Sequence, residues 1–391
     1  MLAFLLSSSV LPVSSTPPSV FSSGIGGFPC VRVPSLLAIP AGPLLAFAEC
    51  RSFTGDGCEP QLAASAGAHS SDVRDRVVCM RSSTDRGASW GPLQANISQG
   101  KACYPTAVYE PQTKSVLLQF SSWPDRANYY NPTAMQVVST DNGRTFTDPE
   151  LVFPGVPPLS LFLGSCRGTV LTAGAHAGRV LFTGYNHSLP KDTVSNTFVW
   201  YSDANGRHGS WRLASADVEY MAEPQISALS GGAEVALFGR SNGQMSCRCQ
   251  NSAHSTDGGA HWSRASNLTS LPSPGCQGSV LMLQRSATTG DTREPPAVVG
   301  YYSGPNSASE RVNMTVWATA DAGGKVWAPA HRVAADSSES GSYSCIEDLS
   351  TLSPPPHAKS PSVGLLWETT LEHDAGAKCT GGGCNIVFTA F

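Results

Sequence analysis

A short motif, Ser-x-Asp-x-Gly-x-x-aromatic, recurs along the chain and constrains its fold more than any other feature. Three full copies lie at residues 83–90, 139–146 and 255–262. Two degenerate copies lie at residues 202–211 and 319–327, and successive aspartates are 56, 62, 54 and 64 residues apart. A period of this length indicates an architecture that repeats one supersecondary unit.

The residue types in the motif are those of a turn between two strands. Ser and Asp side chains accept hydrogen bonds from nearby backbone N–H groups, and Gly permits φ > 0. We expect the closing Trp or Phe to pack between strands. Short β-rich runs at residues 73–80, 115–120 and 133–138 precede the first two copies. The motif therefore serves the fold and not catalysis.

The repeat predicts an all-β fold, a six-bladed β-propeller with four-stranded antiparallel blades. A period near 60 residues fits one blade with generous loops, and about 360 residues supply six such units. The chain has 38 Gly and 29 Pro among 391 residues, which favours short strands joined by turns. We expect residues 28–391 to form the propeller and residues 1–27 to be a signal-like, low-complexity segment.

The charge balance excludes several classes of protein. Lys and Arg number 25 against 29 Asp and Glu, for a net charge of −4, so a nucleic-acid binder with a basic surface is excluded. With 41% hydrophobic and 14% charged residues, long disorder is not expected. No window reaches the ~18 apolar residues of a membrane span.

Twelve cysteines and four N-x-S/T sequons favour the secretory route, with a lysosomal or extracellular destination. The sequons begin at Asn96, Asn186, Asn267 and Asn313. The N-terminal run MLAFLLSSSVLPVSS resembles the apolar part of a signal peptide but lacks a basic start. A first β-strand or a misplaced start is the alternative interpretation. Residues 14–28 are rich in Ser, Pro and Gly and predict a loop or linker.

The cysteine spacing does not indicate a structural metal site, since no C-x2-C pair has a partner pair at zinc-ribbon distance. Cys247 and Cys249 form a C-x-C pair. Strand residues at this spacing point to one face, which suits two separate disulfides as well as a ligand pair.

The repeated turn is known as the Asp box, which is typical of sialidases and also occurs in other propellers. A sialic acid glycoside makes specific chemical demands on a site. Its carboxylate is best held by several guanidinium forks, and its leaving oxygen needs a general acid. Its anomeric carbon bears the carboxylate and would repel an anionic nucleophile, so a Tyr activated by a Glu fits.

From about Phe28 the chain resembles the animal lysosomal-type exo-sialidases. Five segments carry the resemblance, although Val31 and Val33 depart from the family's first motif. They are Val31-Arg32-Val33-Pro34 with Leu44 to Arg51, Glu223-Pro224-Gln225 with Gly239-Arg240, Glu310 to Thr315, Gly341 to Ser344, and Leu365 to Glu368.

The resemblance implies a role for each matching residue. It makes Tyr343 the nucleophile and Glu223 the base that takes its phenolic proton, since a free Tyr has a pKa of about 10. The carboxylate-binding arginines would be Arg32, Arg240 and Arg311. Glu368 would buttress the first of these arginines, and Arg51 is a further substrate-binding candidate.

The general acid has three candidates. Asp72 follows two serines and lies 13 residues before Asp85 of the first motif copy, a spacing that matches the lysosomal relatives. Asp56 lies five residues after Arg51, as in other members of the family. Asp72 is the preferred acid, and Asp75 is the third candidate.

Candidates for the pocket that takes the N-acyl and glycerol groups follow from blade position alone. They are Trp123, Tyr129, Tyr130, Tyr185 and Asn186. Ordinary packing or loop surface explains each of them as well. Asn186 departs from the lysosomal pattern, so the accepted N-acyl form stays open.

The resemblance implies a retaining exo-α-sialidase that removes terminal sialic acids from glycoproteins, oligosaccharides or gangliosides. This chemistry requires no cofactor and no metal. A variant that acts on deaminated sialic acid or transfers sialic acid to a sugar acceptor would use the same site. A non-catalytic propeller that binds sialoglycans or a protein is the alternative of a different class, and it has no need of the Glu and Tyr pair.

Overall fold

The computed structural model describes residues 17–53, 58, 76–123, 132–155, 160–164, 166–187, 195–214, 218–229, 232–241, 247–283, 299–334, 337, 339–352, 361–370 and 385–391. These residues form β-strands and one short 3-10 helix, η1 (Ile25–Gly27). In chain order the strands are β1 (Ser19–Ser22), β2 (Cys30–Ala38), β3 (Leu44–Arg51), β4 (Arg76–Ser83), β5 (Ala102–Glu110), β6 (Ser115–Ser122), β7 (Thr133–Ser139), β8 (Glu150–Leu151), β9 (Phe162–Leu163), β10 (Cys166–Arg167), β11 (Thr169–Val170), β12 (Val180–His187), β13 (Ser195–Ser202), β14 (Arg212–Leu213), β15 (Val218–Glu219), β16 (Met221–Ala228), β17 (Val235–Ser241), β18 (Cys249–Ser255), β19 (Ser266–Pro272), β20 (Ser279–Met282), β21 (Gly300–Pro305), β22 (Met314–Thr319), β23 (Ala328–Arg332), β24 (Ser344–Asp348), β25 (Val363–Thr369) and β26 (Asn385–Ala390). No helix in these ranges is long and apolar enough to cross a membrane.

The strands form six sheets arranged as a ring, so the predicted six-bladed β-propeller is confirmed. Blade 1 contains β2 to β4, blade 2 contains β5 to β8 with β10 alongside β5, and blade 3 is built on β12 and β13. Blade 4 contains β16 to β19, blade 5 contains β20 to β23, and blade 6 contains β24 to β26 with β1. The innermost strands touch their neighbours around the ring; β2, for example, contacts both β5 and β24.

The ring is closed by the N-terminal strand. β1 pairs antiparallel with β26 and forms the outer edge of blade 6. The loop predicted over residues 14–28 is therefore wrong at Ser19–Ser22. The reason is that β26 would otherwise present an unpaired edge, and unpaired strand edges are covered in native proteins. Residues 1–16 lie outside the described part of the chain, and a signal-like function for them stays a prediction.

Hydrophobic clusters lie between the blades, with one large cluster at each of the six junctions. At the junction of blades 1 and 2, for example, Phe47 packs in one cluster with Phe120. A middle strand is thus buried on both faces, and all eight residues of β3 are buried. This explains why the sequence of such a strand is a nearly continuous apolar run.

The repeated motif forms the predicted turn. In the first copy Ser83 Oγ lies 2.7 Å from Asp85 Oδ1 and accepts a hydrogen bond from the Gly87 N–H at 2.8 Å. Asp85 Oδ1 accepts the backbone N–H four residues on, and Gly87 has φ 92°. Trp90 packs against Phe388 of blade 6, with ring centroids 5.6 Å apart. This aromatic therefore packs between blades rather than only between strands of its own blade.

The turns all lie at one face of the ring, because each follows the third strand of a blade. In blade 4, Ala228, Val235 and Ser255 are register partners at the turn end, whereas Ala222 pairs with Arg240 at the other end. Blade 6 has no such turn because its fourth strand is β1. The opposite face, where the inner strands begin, is left for the candidate site.

The described residues form four disulfides, namely Cys30–Cys58, Cys50–Cys79, Cys166–Cys345 and Cys247–Cys249. Cys166–Cys345 lies at the centre of the ring, where β10 contacts strands of blades 1, 2, 4 and 6. The expectation of two separate disulfides or a ligand pair at Cys247 and Cys249 is wrong. The two sulfurs are bonded to each other because the backbone bends between them.

Candidate active site

Each of three inner strands contains a bulge near the face of the ring opposite the turns. The strands β2, β5 and β16 lose register at Val33-Pro34, Tyr104-Pro105 and Glu223-Pro224. The residues before Pro have φ of 56°, 54° and 48°, which is uncommon for non-glycine residues. Pro cannot donate to the ladder, so bulges accommodate it, and a bulge redirects the neighbouring side chains. The site is assembled around these bulges.

Tyr343 and Glu223 form the centre of the site. The Tyr343 hydroxyl donates a hydrogen bond to Glu223 Oε1, although the two residues are 120 positions apart. Tyr343 is 6% exposed and Glu223 is 4% exposed. Burial and the adjacent Glu223 carboxylate raise the pKa of Tyr343 well above 10, while the nearby arginines oppose this shift. The resting phenol is therefore protonated, and Glu223 is placed to receive its proton.

Arg32 is held by the buried carboxylate of Glu368. Its Nε and Nη2 donate to the two carboxylate oxygens at 3.2 and 3.0 Å. The same carboxylate accepts the backbone N–H of Val33 at 2.7 Å and that of Tyr343 at 3.3 Å. One carboxylate thus fixes the first predicted arginine and the backbone of the predicted nucleophile together.

Arg240 approaches the same pair from the end of β17. Its Nη1 lies 3.4 Å from Glu223 Oε2. The pKa of Arg240 is raised, chiefly by the Glu223 carboxylate and despite its partial burial. Glu223 therefore contacts a guanidinium through one oxygen and the phenol through the other.

Arg32 and Arg311 lie close to the ring of Tyr343. Their Cζ atoms are 5.0 and 5.4 Å from its centroid, within the range of a cation–π contact. Arg311 donates to Ser342 Oγ at 3.3 Å and to the Gly275 carbonyl at 3.2 Å. The three predicted arginines, Glu223, Glu368 and Tyr343 are thus brought together from distant parts of the sequence.

Arg51 belongs to a cluster beside this centre. Its Nη2 lies 2.7 Å from Glu49 Oε2, and Arg76 Nη1 lies 3.3 Å from the same oxygen. Glu49 Oε1 accepts the Tyr104 N–H at 2.9 Å, and Glu49 is the register partner of Arg32. Burial opposes ionisation of Glu49, but Arg51 and Arg76 outweigh it, so the pKa of Glu49 lies below 4.5.

Arg76 was not among the residues predicted from the sequence, although a signal was present. Arg51 and Arg76 face each other across β3 and β4, and like charges directly opposite are destabilising unless compensated. The compensating acid, Glu49, stands two positions before Arg51 on the same strand.

An aromatic wall lines the site next to the second bulge. Its members share edge or tilted ring contacts, and they are Tyr104, Trp123, Phe162 and Tyr185. The hydroxyls of Tyr104 and Tyr185 are 3.0 Å apart. Trp123 and Tyr185 were predicted as recognition residues, whereas Tyr104 and Phe162 were missed. The repeated X-Pro pair was the signal that could have identified Tyr104.

Of the remaining predicted recognition and acid residues, the structure describes only Asn186. Asn186 Oδ1 accepts the Asn196 N–H at 3.4 Å, next to Tyr185 on β12. Tyr129 and Tyr130 lie outside the described residues. The three general-acid candidates, Asp56, Asp72 and Asp75, lie outside them as well, and the general acid stays a prediction.

Within the described ranges, no group of three or more His, Cys, Asp or Glu side chains could hold a metal ion.

Comparison with known proteins gives one family and several relatives. The BNR repeat-like domain family matches residues 61–350. Human Sialidase-4 is 29% identical over 287 residues, which is 64% of this chain and only 54% of that protein. Sialidase-2 of Mus musculus is 24% identical over 330 residues, covering 76% of this chain and 79% of that protein.

The solved structures agree in fold. Hadza microbial sialidase Hz136 superposes with a TM-score of 0.69 at 17% identity, covering 96% of this chain and 68% of that one. The fold of the chain is thus that of sialidase structures. Together with the sequence relatives, this confirms the resemblance to sialidases.

Proposed function

The chain belongs to the BNR repeat-like domain family, and we propose that it is an exo-α-sialidase that acts with retention of configuration. The observation that carries the proposal is the hydrogen bond from Tyr343 to Glu223, with three arginines next to this pair. The proposed substrates are terminal sialic acids on glycoproteins, oligosaccharides and gangliosides. A secretory destination, lysosomal or extracellular, is part of the same proposal.

The charge of the site supports binding of a carboxylate. Arg32, Arg240 and Arg311 contribute three positive charges, and Glu223 and Glu368 contribute two negative charges. The net charge of +1 complements one substrate carboxylate. Guanidinium groups bind carboxylates through paired N–H donors. Because Glu368 already fixes Arg32, this donor is oriented before the substrate arrives.

The chemistry proceeds in two displacements. Tyr343 attacks the anomeric carbon while Glu223 accepts the phenolic proton, and a bond forms between Tyr343 Oη and that carbon as the glycosidic bond breaks. Water then displaces the tyrosine and gives one proton to the carboxylate of the acid that protonated the leaving oxygen, while the proton on Glu223 returns to the phenol. A neutral phenol avoids the repulsion that the substrate carboxylate would impose on an anionic nucleophile. The surrounding guanidinium groups stabilise negative charge that develops on the phenol.

The leaving oxygen requires a proton from a general acid. We assign this role to Asp72, with Asp56 and Asp75 as alternatives, because Asp72 lies 13 residues before Asp85 of the first motif copy. The aromatic wall supports contact with the N-acyl and glycerol groups, for which Trp123 and Tyr185 are the proposed residues. Arg51 is proposed to bind substrate beside them, oriented by Glu49.

Hydrolysis of 3′-sialyllactose followed by proton NMR tests the proposal. Initial release of the α-anomer of free sialic acid is expected, since two displacements retain configuration. Initial release of the β-anomer would contradict the Tyr nucleophile. Binding without release between pH 4 and 7 would favour the sialoglycan-binding alternative. New sialosides in the presence of a sugar acceptor would favour transfer, and a parallel deaminated substrate distinguishes the remaining alternative.

A further inference from the structure

We propose that the Cys247–Cys249 disulfide is a positioning element that holds the loop 273–276 against Arg240 and Arg311. The kinetic part of this inference rests on the proposed function, whereas its structural part does not. The bridge takes no part in the proposed chemistry, although it lies at the start of β18, beside the end of β17 that carries Arg240.

The bridge bends the backbone at the start of β18. The Cα atoms of Cys247 and Cys249 are 5.1 Å apart, whereas two residues of an extended strand span about 6.6 Å. Arg248 between them has φ 54°, a left-handed conformation that few non-glycine residues adopt. The pairing of β18 with β19 also loses register directly after Cys249. The disulfide therefore holds Arg248 in a backbone conformation that a free strand would not keep.

The bent backbone anchors the loop. The Arg248 carbonyl accepts the Ser273 N–H at 2.8 Å. Ser273 Oγ in turn accepts the N–H groups of Gly275 and Cys276 at 3.3 and 3.4 Å. Gln250, two positions after the bend, donates to the Cys276 carbonyl at 3.1 Å. The backbone of Arg248 thus fixes Ser273, and the Ser273 side chain in turn accepts the N–H groups of Gly275 and Cys276.

The loop contacts one of the three arginines and lies beside a second. The Gly275 carbonyl accepts Arg311 Nη2 at 3.2 Å. A Cβ added to Gly275 would lie 3.5 Å from Arg240 Nε, in van der Waals contact. Cys276 is buried in a small cluster with Val33 and Tyr343. A shift of this loop would therefore remove a hydrogen-bond acceptor from Arg311, open space beside Arg240 and change the packing of Cys276 near Tyr343.

Loop length indicates that this bridge acts locally. A disulfide stabilises a protein mainly by constraining its unfolded chain, and the effect grows with the number of residues enclosed. Cys166 and Cys345 are 179 residues apart, whereas Cys247 and Cys249 are two apart. The short bridge constrains the unfolded chain least, so its contribution lies in the geometry of the folded site.

The test removes both sulfurs with the double variant Cys247→Ser, Cys249→Ser. Hydrogen exchange is expected to accelerate in a peptide covering residues 271–278 and to stay unchanged in peptides from blades 1 and 2. The melting temperature is expected to fall by less than about 3 °C. With a fluorogenic sialoside, KM should rise about 5- to 20-fold while kcat falls less than about threefold, as for lost uniform binding.

Two further variants make the test decisive. Arg248→Gln keeps the disulfide and the backbone carbonyl of residue 248, so hydrogen exchange and KM should be unchanged. A rise in KM like that of the double variant would show that the Arg248 side chain, and not the disulfide, is responsible, and would overturn the proposal. Ser273→Ala should accelerate exchange at Gly275 and Cys276 with the bridge intact. Unchanged exchange in the double variant, or global unfolding of it, would also overturn the inference. Exchange decides the positioning role even if the wild type releases no sialic acid.

Discussion

Replacing Tyr343 with Phe tests the core of the proposed chemistry, because it removes one oxygen and leaves the ring. The ring packs beside Arg32 and Arg311, and Phe retains these contacts. The deleted hydroxyl donates only to Glu223 among the contacts described for it. We therefore expect a folded protein that lacks the nucleophile.

The cost to stability follows from the lost hydrogen bond. A hydrogen bond to a charged group contributes about 1.5–3 kcal/mol. Unfolding entropy of about 2.1 cal/mol/K per residue gives roughly 0.8 kcal/mol/K for a chain of this length. The melting temperature should thus fall by about 2–4 °C. Glu223 keeps its contact with Arg240 at 3.4 Å, so its charge is not left without a partner.

The cost to catalysis is much larger. Without the phenol no covalent intermediate forms, and kcat should fall more than about 1,000-fold, a barrier increase of about 4 kcal/mol or more. A fluorogenic sialoside assay at pH 4–7 measures kcat, and thermal unfolding measures stability. Because Glu223 acts through the phenol, Tyr343→Phe and Glu223→Gln should be strongly non-additive when combined. Near wild-type turnover of Tyr343→Phe, in a folded protein, would refute the mechanism.

Three further predictions concern the stability of the fold. Gly143→Ala should destabilise by about 1–3 kcal/mol, because Gly143 has φ 82° and a Cβ would lie 2.7 Å from Leu45 Cδ1; an unchanged urea midpoint would contradict this role for the turn glycine. Removing the Cys166–Cys345 bridge with two Ala substitutions should cost up to about 5 kcal/mol, as expected for closing a loop of this length; a loss below about 1 kcal/mol in the same urea assay would show that the bridge is not a major constraint. Glu49→Gln should cost about 3–5 kcal/mol at pH 7, because it removes the buried carboxylate that contacts both Arg51 and Arg76. Since the pKa of Glu49 is lowered in the folded state, its contribution is fully present above pH 4.5 and is lost as the pH falls through the folded pKa. The stability difference between wild type and Glu49→Gln should therefore narrow below pH 4.5, and a constant difference would argue against this ionisation.

The blades were predictable because the signal for them is local. In the three full copies, the hydrogen bonds of the motif's Ser and Asp side chains join residues no more than four apart, as from Ser83 to Gly87. A spacing pattern in the sequence can encode such contacts directly. The packing of Trp90 against Phe388 was not predictable in the same way, because neighbouring blades are set by ring closure and not by spacing.

Some residues of the candidate site were predicted from the sequence and others were not, again because of the range of the contacts involved. Resemblance to a family supplied Arg32, Glu223 and Tyr343, because their segments carry recognisable neighbours. Arg76 and Tyr104 were missed, since their relevance depends on a shared partner, Glu49, that cross-strand pairing brings to them. The self-pairing of the C-x-C cysteines was missed because it requires a backbone bend that alternation along a regular strand does not predict.

The sequence by itself determined the repeat unit, the number of blades and the chemical types available for catalysis. Only the tertiary structure decided that β1 completes blade 6 and that Arg32 meets Glu368 across 336 residues of chain. The physical reason is the range of the interactions. A turn is stabilised by contacts within a few residues, whereas the convergence of arginines on one phenol exists only after six packed junctions close the ring.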